Sequence, residues 1–151
     1  MAPKSPGLAR GAIFPTLRDP DLEATFRDRG IVVLDLLTVA EARSLRSELH
    51  EVLPDDPGDF FDLFRNNPPE LRKQLDAIVR PALEARASEV LFDHDFWSAT
   101  VLVKPPGPRG EIGLHTDWNM VDETRYRSGL VWVSLDDATP DCGGLVAVPG
   151  T

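Results

Sequence analysis

The spacing of apolar residues changes once along the chain, near Phe92, and that change limits the fold more than any other feature. Before it, apolar residues recur three and four apart: Ala42, Leu45, Leu49 and Val52, then Leu71, Leu75, Ile78, Val79 and Ala82. That spacing lines one face of an α-helix. After it, Phe96 to Val103 and Ser128 to Leu135 alternate. Alternation at period two marks strands with two different faces. The chain is therefore expected to be α+β, with helices first and an antiparallel β region second.

Local signals punctuate both halves. Asp19 before Pro20 predicts a helix N-cap with proline in the first turn, and Gly30 predicts the stop. Ile31 to Leu34 reads as a short buried strand. Thr38 and Glu41 have capping-box spacing, and the helix after them should run until Pro54. A turn at 55–58 precedes Phe60, Phe61 and Phe64, expected to be core packing. A second long helix should start near Pro68-Pro69, with Pro81 kinking or restarting it. Residues 104–110 make a proline-rich connection. Strands are expected at Ile112 to Trp118, Ser128 to Leu135 and Leu145 to Val148, with a polar loop over 119–127. Short strands joined by turns suggest a jelly-roll or cupin-like barrel, which normally uses about eight strands. From Phe92 onward about four are visible, so the barrel is expected to be incomplete. Residues 1–18 lack a clean period and read as a flexible arm, leaving 19–151 as one domain.

Charge and cysteine content exclude several functions. Across 151 residues, 16 Lys and Arg stand against 25 Asp and Glu, a net charge of −9. Such a chain presents no electrostatic footprint for nucleic acid or anionic membranes. The single cysteine, Cys142, forms no internal disulfide and no cysteine-type zinc site. No apolar run reaches membrane-spanning length, and no secretory signal is visible, so a cytoplasmic protein is expected.

One stretch carries chemistry: Gly113-Leu114-His115-Thr116-Asp117-Trp118. In an extended segment, side chains two apart leave the same face. His115 and Asp117 would then aim an imidazole nitrogen and a carboxylate oxygen at one point. That supplies two thirds of the two-histidine, one-carboxylate face that holds non-haem Fe(II).

Further matches extend along the chain. Gly30-Ile31-Val32-Val33-Leu34 precedes a capped helix. Lys104-Pro105-Pro106-Gly107 then leads to the His-x-Asp. After that come Val131-Trp132-Val133-Ser134-Leu135-Asp136-Asp137, Cys142-Gly143-Gly144-Leu145 and Pro149-Gly150-Thr151. In this order and spacing the sequence resembles the phytanoyl-CoA dioxygenase family from about Leu22 onward.

The resemblance implies a double-stranded β-helix and an Fe(II)- and 2-oxoglutarate-dependent oxygenase. It implies His115 and Asp117 as iron ligands, and Trp132 and Thr100 beside the cosubstrate. The reaction implied uses O2 to hydroxylate an aliphatic C–H of a small-molecule or acyl-thioester substrate. An aspartate in the triad fills a position otherwise open to halide, so hydroxylation is expected over halogenation. In the family, a second histidine and a cosubstrate-clamping arginine lie beyond the Pro-Gly-Thr turn. The sequence ends at Thr151. The chain is therefore expected to be the N-terminal part of such a domain, with little turnover by itself.

The remaining candidates have plainer readings. His50 is expected to be a solvated helix residue, and His94 a weak third-ligand candidate. Arg125 and Arg127 flank Tyr126 and could meet an anionic substrate group, though a solvated loop is the simpler account. Asp136-Asp137 is read as a turn. Cys142 has no base nearby in sequence. Two alternatives stay open. One is a non-catalytic relative acting as a binding module, with an exposed barrel edge available for self-association. The other is a cupin-like metalloenzyme such as an isomerase, against which the family-like stretch argues.

Overall fold

A computed structural model describes residues 15–54, 61–62, 68–105, 107–117, 121–122 and 125–150. Helix α1, Pro20–Arg29, begins and ends as its sequence dictates. The Asp19 carboxylate accepts from the amides of Asp21 and Leu22 at 2.8 and 3.0 Å. Gly30 closes the helix at φ 73°, where a residue with a Cβ would be strained.

Helix α2, Val39–His50, opens with the complete capping box. Thr38 N–H donates to Glu41 at 2.8 Å, and Glu41 N–H donates to Thr38 Oγ1 at 3.2 Å. It stops before Pro54 because the amides of Val52 and Leu53 both turn back to the Leu49 carbonyl.

Helix α3, Pro69–Val90, is a single 22-residue element that contains Pro81. The expected restart does not occur. Proline removes one donor and crowds the Ala77 carbonyl. Ala77 and Pro81 both lie on the exposed face, so that carbonyl can turn to water, and the buried face remains continuous through Leu75 and Val79.

The core lies between α2 and α3. Leu45 and Leu49 meet Leu75 and Val79, and Leu75 is fully buried. The next segment closes over them with Ala99 and Val101, while Leu102 faces outward. Period-two burial is thus present at 99–102 as expected. Phe96, Val103 and Leu135 pack around its edge. Arg80 fixes this segment to α3: its guanidinium is bidentate with Asp76 at 2.9 and 3.1 Å and donates to the Phe96 carbonyl at 2.9 Å.

The expected barrel is not formed among the described residues. They contain two strands, β1 (Phe61–Asp62) and β2 (Leu102–Val103), paired antiparallel. Ile31 to Leu34, Ile112 to Asp117, Ser128 to Leu135 and Leu145 to Val148 are not strands. The physical reason is pairing. None of the N–H groups from Ile112 to Asp117, or from Gly129 to Leu135, donates to a backbone carbonyl among the described residues. An alternating sequence prepares a face, but a ladder requires a neighbouring strand. The side chains of Phe60, Phe61 and Phe64 lie outside the described residues.

The end of the expected arm is held. Leu17 is buried and bridges Leu91, and the amides of Arg18 and Phe92 bond to the carbonyls of Val90 and Thr16 at 2.9 Å each. No helix among the described residues is long and apolar enough to cross a membrane.

Candidate metal centre

His115 and Asp117 converge without a strand to hold them. His115 Nε2 lies 3.3 Å from Asp117 Oδ1, and both side chains are more than half exposed. The other ring nitrogen, Nδ1, is 2.8 Å from the Gly113 carbonyl oxygen. A carbonyl only accepts, so Nδ1 carries the proton and a neutral ring presents the Nε2 lone pair. That lone pair then faces a carboxylate oxygen, acceptor against acceptor. A proton shared between the two groups, or a metal ion bound by both, relieves that clash.

The two donors are spaced as neighbouring ligands of one metal ion would be. Two donors about 2.1 Å from one first-row divalent ion, at right angles, stand about 3.0 Å apart. The observed 3.3 Å needs only a small opening of that angle. A metal-binding histidine commonly donates its other N–H to a carbonyl, which fixes tautomer and ring orientation. Gly113 does this here. A third protein donor is not found: no group of three or more His, Cys, Asp or Glu that could hold a metal occurs among the described residues. His50 is exposed on α2. His94 Nε2 lies 3.5 Å from Ser88 Oγ, on the C-terminal turn of α3.

Thr100 is half-buried, and its Oγ1 is buried with no hydrogen-bond partner among the described residues. Such a hydroxyl costs stability unless something satisfies it. Trp132 is half-buried. No hydrogen bond or ion pair joins either residue to His115 or Asp117 among the described residues.

Other charged candidates have structural partners. Arg125 lies over the Tyr126 ring, 5.5 Å from its centroid. Arg127 donates to Thr16 Oγ1 at 2.8 Å and approaches Glu23 at 4.0 Å. Asp136 pairs with Arg46 at 3.1 Å, consistent with a turn that ties down a segment end. Cys142 is exposed.

Sequence reasoning missed Glu23. It is the one charged residue buried among the described residues, 7% exposed. Its carboxylate accepts from Thr16 N and Leu17 N at 2.8 and 2.9 Å and from Arg27 Nε at 2.6 Å. Burial pushes its pKa up, but the bonds from Leu17, Arg27 and Thr16 outweigh that and leave it below the usual carboxylate value. An i,i+4 Glu-Arg pair on a short helix normally signals a solvated face, so spacing alone gave no hint.

Convergent imidazole and carboxylate donors, on a chain with an alternating second half, are features of the non-haem iron oxygenases. The phytanoyl-CoA dioxygenase family model matches residues 23–151, most of the chain. The protein belongs to the phytanoyl-CoA dioxygenase family, whose members are generally 2-oxoglutarate-dependent iron dioxygenases with a jelly-roll fold. No curated protein and no solved structure matches the chain.

Proposed function

We propose that this protein is an Fe(II)- and 2-oxoglutarate-dependent hydroxylase acting on an aliphatic C–H of a small-molecule or acyl-thioester substrate. The observation that carries this is the 3.3 Å approach of His115 Nε2 to Asp117 Oδ1, with Nδ1 committed to Gly113. Family membership supports the cofactor pair.

His115 and Asp117 are the metal donors in this reading. A ferrous ion held there with 2-oxoglutarate would supply the O2-dependent oxidation chemistry, with 2-oxoglutarate converted to succinate and carbon dioxide. The chain's own residues bind and orient. The Gly113 carbonyl keeps the proton on Nδ1 and so keeps Nε2 free to bind. The Asp117 carboxylate would offset part of the charge of an ion held there and would occupy a position otherwise open to halide, which favours hydroxylation over halogenation. Thr100 Oγ1 has an unspent donor to offer a cosubstrate oxygen, and Trp132 contributes an apolar wall. A cytoplasmic setting suits the lone cysteine.

The test is an anaerobic Fe(II) titration of the whole chain with and without 2-oxoglutarate. Two protein donors predict weak binding that 2-oxoglutarate strengthens and that His115→Ala and Asp117→Ala each remove. Binding that survives both substitutions would overturn the assignment.

One observation favours a second reading, a non-catalytic binding module: only two donors converge among the described residues. Leu114 and Val146 are largely exposed, surfaces on which such a module could self-associate. Metal-independent dimerisation in sedimentation, with no Fe(II) uptake, would favour it.

A further inference from the structure

Ten residues beyond Asp117, Arg127 reaches back across the chain. Its guanidinium donates to Thr16 Oγ1, 111 positions away, and stands 4.0 Å from the buried Glu23 carboxylate. The receiving end is built. Thr16 and Leu17 are fastened to Glu23 through their own amides, and the 16–18 segment is bonded to residues 90–92 at the end of α3. At the delivering end, the amides of Arg125 and Tyr126 both donate to the Asp122 carbonyl at 2.9 Å. Between the core and this point, no backbone-to-backbone hydrogen bond holds Ile112 to Asp117 among the described residues.

We infer that Thr16 and Glu23 form a latch for Arg127, and that Arg127 is a positioning residue that restrains the segment leaving His115 and Asp117. Metal uptake by this chain therefore depends on a contact made far from the metal donors. The inference rests on the proposed metal centre for its consequence, but not for the latch itself. Glu23 already has Arg27 as its close partner at 2.6 Å, so removing Arg127 does not leave a buried charge uncompensated. The latch can be opened without unfolding the protein.

The experiment compares Arg127→Met, Thr16→Val and Thr16→Ser with the parent chain. Amide exchange is read by NMR at Arg125 and Tyr126, with Leu75 and Val79 in α3 as internal reference. Arg127→Met and Thr16→Val should each speed exchange at the two turn amides about fivefold, the scale of one lost charge-assisted hydrogen bond. Thr16→Ser keeps the hydroxyl and should restore the parent rate, while the α3 amides stay unchanged. Unchanged turn amides in Arg127→Met would overturn the latch. Titration with Co(II) alone reads the consequence. The parent should bind, and the two opening variants should bind about fivefold more weakly at equal thermal midpoint. Equal Co(II) affinity in all variants would overturn the positioning role while leaving the metal centre standing. No Co(II) uptake by the parent would overturn the metal centre and the positioning role together.

Discussion

At the scale of single residues, a contact was legible in the sequence wherever it follows from separation along the chain. His115 and Asp117, two residues apart, meet at 3.3 Å although their segment is not a strand. The Asp19 and Thr38 caps follow from equally local rules. Glu23 and Arg127 were not legible, since 104 positions separate residues 23 and 127 and only the fold brings them near. Thr100 is an intermediate case: the resemblance marked it, and the structure adds the orphaned Oγ1. Two opposed effects of Thr100→Val follow. Replacing an unsatisfied buried hydroxyl by a methyl should raise stability by about 1 kcal/mol, read as a higher urea midpoint without cosubstrate. If the hydroxyl serves 2-oxoglutarate, the same change should weaken cosubstrate-dependent metal binding. A variant that is destabilised would mean that Oγ1 already has a partner.

At the scale of elements, α2 and α3 were readable because each carries one apolar stripe, and the structure joins the two stripes face to face. The ion pair that spans them was not readable. Glu41 closes its own capping box and also receives Arg86 from α3. The Arg86 bond, followed by those from Thr38, lowers the Glu41 pKa from 4.5 to about 2. A carboxylate with a depressed folded pKa stabilises the fold fully above its unfolded pKa. That contribution fades as pH falls from 4.5 toward about 2. Glu41→Gln should therefore be less stable than the parent at pH 7, and the gap should shrink through this window in parallel urea titrations. A gap that is constant with pH would show that the cap geometry, not the charge, matters. In the same interface Leu75 is fully buried. Leu75→Ala should cost about 2–5 kcal/mol, the largest loss expected from any single truncation in this core. A loss below about 1 kcal/mol would place the core elsewhere.

At the scale of the whole molecule, the period change near Phe92 separates two kinds of chain, but the alternating half does not close into a barrel among the described residues. Alternation was visible in the sequence because it is a property of one segment. Closure was not, because it depends on which segments lie side by side. The consequence is an uneven distribution of stability. The three α-helices among the described residues end by Val90, whereas the three tryptophans stand at 97, 118 and 132. Far-ultraviolet dichroism therefore reports the helical half and tryptophan fluorescence the other. Trp97 is exposed and Trp132 half-buried, on segments with few backbone hydrogen bonds. Regions of that kind open at lower free energy than packed helices. In urea, fluorescence should change before the helical signal falls, so the two midpoints should not coincide. Addition of Fe(II) and 2-oxoglutarate should move the fluorescence midpoint upward and leave the helical one nearly in place, because the proposed donors lie in the second half. Coincident transitions without metal would mean that the contacts of Ala99, Val101 and Leu135 with α2 and α3 are enough to make the two halves one cooperative unit.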